Sequence, residues 1–161
     1  MESTNRVRGI AHDKNVAKIT LLGLPDQPGI AATVFQPLSD NGISVDTIVQ
    51  NSSSDRITDL TFTVTRADLK IAMEIIQPVA AHIGAKGCIS DSKLAKISIV
   101  GTGMQNHPGY AAQMFRSLYE EGINIEMITT SEIRITCIVS EENVERGVIA
   151  LHKSFQLDSM D

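Results

Sequence analysis

The sequence predicts an α+β fold made of two copies of one strand–helix–strand–strand–helix unit, each closed by a fourth strand. Three observations carry this. The stretch KITLLGLPDQPGIAATVFQPLSDNGISVDTIVQ (18–50) aligns with KISIVGTGMQNHPGYAAQMFRSLYEEGINIEMITT (96–130), with two extra residues in the second corner. Apolar residues recur at helical spacing after each Pro-Gly corner and at period two further on. Gly42 and Gly122 stand where each first helix must stop, in the manner of left-handed caps. The shared residues include Gly23/Gly101, Pro28/Pro108, Gly29/Gly109, Ala31/Ala111, Phe35/Phe115 and Ile48/Ile128. An internal repeat of this kind sets the architecture before any motif is considered.

Each element follows in order. The apolar runs Ile19 to Leu24 and Ile97 to Val100 read as buried strands. Pro28 and Pro108 suit a helix start, where the first N–H groups have no partner in any case. Ile30, Ala31, Val34, Phe35 and Leu38 share one helical face, as do Tyr110, Ala111, Met114, Phe115 and Leu118. ISVDTIVQ (43–50) and INIEMITT (123–130) are second strands. LTFTVT (60–65) and IRITCIV (133–139) alternate and are third strands. Second helices bury Leu69, Ala72, Met73, Ile76, Val79 and Ala80 in one copy, and Val144, Val148, Leu151, His152 and Phe155 in the other, with Ser140 as cap. Pro37 and Pro78 predict a kink or an early end of their helices.

A strand followed directly by a strand pairs antiparallel, whereas an intervening helix permits parallel neighbours. The result is the split β-α-β arrangement of ferredoxin-like folds, βαββαβ, with helices on one face of an antiparallel sheet. AKGCIS (85–90) supplies the fourth strand of the first unit. After its last helix the second unit has only QLDSMD, so VRGIA (7–11) is expected to complete its sheet. The first unit, 16–93, is then inserted in the second, 7–13 plus 94–157.

Composition narrows the function. At 161 residues the chain has room for one ordinary domain or two small ones. The net charge of -5, with no segment rich in Lys and Arg, argues against nucleic acid as a partner. MESTNRVRGIAHDKN lacks the apolar core of a signal peptide, and no run is long enough to span a bilayer. The expectation is a cytoplasmic protein with no membrane partner. Of the two cysteines, Cys137 sits in a strand pattern and reads as a reduced core residue. The four histidines have no metal-like spacing, and neither metal nor cofactor is expected. GTGMQN (101–106) lacks the third glycine of a dinucleotide fingerprint and no parallel βαβ unit follows it. DRITD (55–59) reads as a solvated hairpin loop, extra relative to the second copy. No residue is assigned a catalytic role.

The corners are the candidate sites. A Pro-Gly corner leaves backbone N–H groups at a helix N-terminus after a buried strand, which favours an anion by roughly 0.3–1 kcal/mol per charge. Asp26, two residues before Pro28, either favours the turn or takes the ammonium of a zwitterion whose carboxylate meets the N–H groups. Gln50, at a strand end, either faces solvent or reaches the same crevice.

KITLLGLPDQPGIAATVF, DTIVQN, TDLTFTV, KISIVGTGMQNHPGYAAQMF and EGINIEMITTSEIRITCIV together resemble the tandem ACT domains of aspartate kinase, from about Val7 to Leu157. That piece also forms the small subunit of heteromeric aspartate kinases. The resemblance implies feedback control of aspartate phosphorylation by threonine, lysine or both. It implies an effector crevice of Asp26, Gly29, Ile30, Ala31 and Gln50, closed by Gly122, Asn124 and Ile125 of a partner chain. The family often carries Asn where this chain has Gly122. A second crevice is implied at Gln105, Asn106, His107, Gly109 and Ser131. The resemblance also implies a homodimer, in which four-stranded sheets pair into eight-stranded ones, and a kinase catalytic domain or large subunit as partner. Edge strands that need cover give the same association a physical reason. A phosphate-cradling glycine loop with a Lys is missing, so the chain is expected not to be a kinase by itself. Other readings of the same residues are a free-standing amino-acid sensor, the regulatory part of another biosynthetic enzyme, or a small enzyme using the corner as its active site.

Overall fold

The computed structural model describes residues 7–52 and 55–157. It contains six strands and four helices in the order β1 (Val7–Pro25), α1 (Ile30–Asp40), β2 (Ile48–Ser52), β3 (Ile57–Val64), α2 (Leu69–His82), β4 (Gly87–Gly101), α3 (Pro108–Glu120), β5 (Met127–Thr130), β6 (Arg134–Ser140) and α4 (Val144–Ser154). The described chain divides into two compact units. The first is Asn15–Ser92; the second takes residues 7–14 and 93–157. Both β1 and β4 contribute to each unit.

In the first unit the strand order is β2-β3-β1-β4. β3 pairs antiparallel with β1 on one side and with β2 on the other. The helices bury Val34 and Leu38 from α1, and Ala72, Ile76 and Ala80 from α2, against Ile19, Leu21, Leu60, Phe62 and Val64 of the sheet. Phe35 packs edge-on to Phe62 with ring centroids 5.1 Å apart. Full burial of side chains of this size stabilises by roughly 1.5–3 kcal/mol each.

The second unit repeats the plan with the order β1-β4-β6-β5. β6 pairs antiparallel with β4 and with β5. Val7 of β1 is fully buried in the same cluster as Ile97, Ile99, Met114, Leu118, Ile135 and Leu151. Cys137 lies in this core too, its thiol donating to the Met114 thioether at 4.0 Å. Both units are therefore α+β, with ferredoxin-like strand order.

The helix stops are as expected. In α1 the Gly42 N–H donates to the Ser39 carbonyl and the Ile43 N–H to the Leu38 carbonyl, at 3.0 and 2.9 Å. The same pair of bonds joins Gly122 to Tyr119 and Ile123 to Leu118 at 2.9 Å each. Positive φ of 73° and 71° at the two glycines makes this closure possible. Ile43 and Ile123 thereby turn into their cores, and regular strand begins only at Ile48 and Met127, later than the sequence pattern suggests.

Several local expectations are corrected. Of the kink or early end expected at Pro37 and Pro78, the early end does not occur: α1 runs on to Asp40 and α2 to His82. The carbonyls they deprive of a partner belong to Thr33 and Glu74, both exposed, so the lost bond does not leave a buried polar group unpaired. Pro28 is not the first residue of α1: Gly29, at φ 90°, is its N-cap. Pro108 does begin α3. Ser140 precedes a short 3-10 turn and makes no side-chain cap bond; Asn143 stands at the N-cap of α4.

Candidate functional site

The first corner is built by the exit of β1. Asp26 is exposed, and its N–H donates to the Arg56 carbonyl at 2.9 Å. The Gln27 N–H returns to the Pro25 carbonyl at 3.1 Å and the Ile30 N–H to the Gln27 carbonyl at 3.3 Å. Gly29 turns the chain into α1, and its carbonyl accepts from both the N–H and the hydroxyl of Thr33. Among the described residues, the N–H groups of Gly29, Ala31 and Ala32 have no acceptor, and the Asp26 carboxylate has no donor. The corner, residues 26–32, thus carries three such donors and one anionic acceptor. A Cβ on Gly29 would meet nothing within 4 Å, so the surface in front of it is open. Ile30 is half-buried against the first core and anchors the turn.

Asp26, Gly29, Ile30 and Ala31 therefore stand together. Gln50 lies apart from them in β2, exposed, with β3 between it and β1; it pairs with Leu60.

In the second unit, Gly122, Asn124 and Ile125 line one concavity of about 440 Å³ with Phe115, Tyr119 and Ile123. Asn124 Nδ2 donates to a Glu126 carboxylate oxygen at 3.1 Å, which fixes its side chain at the rim. Gly122 carries positive φ with open space beside it, a conformation that Asn also tolerates.

The second corner differs from the first. A 3-10 turn over Met104–Asn106 replaces the tight bend, and Met104 is buried in the core. Gln105 and Asn106 lie on this turn, exposed. His107 is the N-cap of α3, and its ring stacks on Tyr110 with centroids 4.0 Å apart and planes 15° apart. Gly109 is helical, and a Cβ on it would stand 3.1 Å from His107 Cε1. Ser131 sits in the β5–β6 turn, its hydroxyl accepting from the Arg134 N–H at 3.1 Å. The next residue, Glu132, accepts the Met104 N–H at 2.9 Å, so the turn and the corner adjoin.

Phe115 and Tyr119 of the concavity, and Arg56 and Asp59 beside the first corner, were not among the residues expected from sequence. DRITD (55–59), read from sequence as a solvated hairpin loop, instead enters β3 at Ile57, with Thr58 buried.

Comparison with known proteins identifies the family of the fold. Family models of the ACT domain match residues 18–81 and 97–155. An aspartokinase of Pseudomonas aeruginosa is 47% identical over 153 residues, which is 95% of this chain and 37% of that protein. The chain thus spans little more than a third of the curated relatives it matches. The ligand-free regulatory subunit of aspartate kinase from Thermus thermophilus superposes with a TM-score of 0.89 at 43% identity, covering 93% of this chain and 99% of that one. A structure of aspartokinase alpha and beta subunits gives 0.87 at 45% identity, with the same coverage. Two ACT-type units in one chain, with near-complete coverage of a regulatory subunit at this identity, place the chain in the aspartate kinase family, as its tandem ACT-domain regulatory region.

Proposed function

We propose that the chain is the effector-binding region of an aspartate kinase and binds threonine, lysine or both in crevices between ACT units of two chains. On this reading the first ACT unit is 16–93 and the second is 7–13 plus 94–157. The observation that carries it is the first corner. Three unpartnered N–H groups, of Gly29, Ala31 and Ala32, and one unpartnered carboxylate, of Asp26, match the two charged ends of a free amino acid. Gln50 reaches the ligand from β2. Gly122, Asn124 and Ile125 of the partner chain close the other side. Gln105, Asn106, His107, Gly109 and Ser131 form the pseudo-equivalent crevice.

A homodimer is supported by the edge strands. β2 and β5 expose Ile48 and Ile128, the same position of the repeat, at 52% and 45%. Apolar side chains on open edges favour pairing with another chain, here into eight-stranded sheets. The likeness to a regulatory subunit, and to a complex of alpha and beta subunits, supports a kinase catalytic domain or large subunit as the partner that feels the ligand. Ligand contacts to both chains favour one dimer arrangement, and that bias inhibits aspartate phosphorylation in the cytoplasm. Couplings of this kind are typically about 1–3 kcal/mol.

Titration calorimetry against threonine, lysine, methionine, isoleucine and valine tests the reading. Saturable heat with threonine or lysine is expected. Binding confined to the other three, or to none, overturns it.

A further inference from the structure

The first corner is held differently from the second, and the difference rests on one side chain. In the second unit both anchoring bonds run between backbones: the Gly101 N–H donates to the Ile133 carbonyl and the Met104 N–H to the Glu132 carbonyl, each at 2.9 Å. In the first unit the matching glycine, Gly23, donates instead to Asp59 Oδ1, at 2.9 Å. Strand register explains the change. β1 and β3 pair one for one from Ala17 opposite Val64 to Leu21 opposite Leu60, then slip, so that Leu24 faces Thr58. The slip takes the Gly23 N–H out of the ladder, and a partly buried donor left unpaired is destabilising. Asp59, within the slipped stretch of β3, supplies the acceptor.

Gly23 is also packed from outside. A Cβ there would stand 2.7 Å from Lys86 Cγ and Cδ, so the Lys86 stem lies across it. Three residues on, the Asp26 N–H donates to the Arg56 carbonyl at 2.9 Å. Arg56 and Asp59 both belong to DRITD (55–59), the stretch by which the chain enters β3. Two bonds from this segment therefore bracket residues 23–26, the path that leads into the corner.

We propose that Asp59 is a positioning residue for the first corner: by holding the Gly23 bulge it fixes residues 23–26 and presents the Asp26 carboxylate beside the N–H groups of Gly29, Ala31 and Ala32. This rests on the reading of that corner as an amino-acid site. Asp59 acts through the backbone, without touching the ligand. The second corner, anchored by backbone alone, has no such dependence.

The test uses the full chain with Asp59→Ala and Asp59→Asn. Asn keeps an Oδ1 acceptor in place, and Ala has none. Calorimetry with threonine and with lysine reads affinity. Amide hydrogen exchange at Gly23, Asp26, Ile76 and Gly101 reads the corner itself. Asp59→Ala is expected to raise Kd about tenfold for whichever ligand the wild type binds, the order expected from one charge-assisted bond. It is expected to speed exchange at Gly23 and Asp26 about tenfold or more, with Ile76 and Gly101 unchanged. Asp59→Asn stays within about threefold of wild type in both readouts, because the bond survives. Unchanged Kd in Asp59→Ala, unchanged exchange at Asp26, equal losses in both variants, or equal acceleration at Ile76 overturns the proposal. A wild type that binds neither ligand brings down the effector reading instead, and the exchange pattern then still decides whether Asp59 holds the corner.

Discussion

Gly147 of α4 lies so close to β4 that a Cβ on it would stand 2.8 Å from Cδ1 of Ile97. Leu118 Cδ2 and Ile123 Cδ1 would follow at 3.2 and 3.4 Å. Ile97 and Leu118 are fully buried and have no solvent to swing into. Glycine inside a helix costs about 1 kcal/mol relative to alanine, so its use here marks a close helix–sheet contact. The matching fourth residue of α2 is the small Ala72. Gly147→Val is expected to destabilise by about 2–3 kcal/mol, read as a lower urea midpoint at constant slope. Gly147→Ala is expected to destabilise too, by about 1 kcal/mol, because the squeeze against the buried Ile97 and Leu118 outweighs the helix gain. A valine variant as stable as wild type contradicts the close contact.

Gly29 poses the opposite case. Nothing stands within 4 Å of a Cβ there, yet its φ is 90°. The cost of Gly29→Ala is therefore conformational alone, about 1–2 kcal/mol. Thermal melting should show a loss of several degrees, since 1 kcal/mol moves a chain of this size by about 2–4 °C. A melting temperature equal to wild type places the corner in a different backbone conformation.

Asp26 is exposed and bonds the protein through its backbone, so Asp26→Ala should leave the melting temperature within about 2 °C of wild type. Threonine or lysine should bind at least about tenfold more weakly, from loss of the ammonium partner. Equal affinity returns Asp26 to the role of a turn residue before Pro28.

The two thiols give a pH test. Burial pushes the Cys137 thiol from 9.0 up to about 12, while Cys88, partly buried, is raised for the same reason. The folded state therefore keeps a proton on Cys137 that the unfolded chain gives up above pH 9. Its contribution to stability is complete below about pH 9 and is lost as pH rises toward about 12, by up to about 1.4 kcal/mol per pH unit. Alkaline melts of wild type against Cys137→Ala should converge as pH rises through this window. A constant gap between them contradicts the shift. In native protein at pH 8, a thiol reagent should modify Cys88 and spare Cys137.

Much of the fold was legible because the repeat doubled every signal. The faces of α1 and α3, the glycine stops at Gly42 and Gly122, and the core cysteine all follow from spacing and residue type. An early end at Pro37 and Pro78 was the wrong alternative because exposure of the freed carbonyl, which helps a helix continue past proline, is not written in local sequence. The two corners look alike as strings, yet Gly29 caps one helix while Gly109 lies inside the other. The two extra residues of the second corner go into a turn that buries Met104, and this sets the difference. Asp59 was unreadable as an anchor because its bond depends on a register slip between strands, a property of pairing. Gly147 carried a signal, a glycine within a helical stripe, whose meaning needed the position of Ile97.

The most direct measurement is an amide chemical-shift titration with threonine and with lysine. Saturable shifts should concentrate at Gly29, Ala31 and Ala32 of the first corner and at Gly122, Asn124 and Ile125. Saturation by either amino acid that leaves the Gly29, Ala31 and Ala32 amides unmoved, or no saturation by either, contradicts the account.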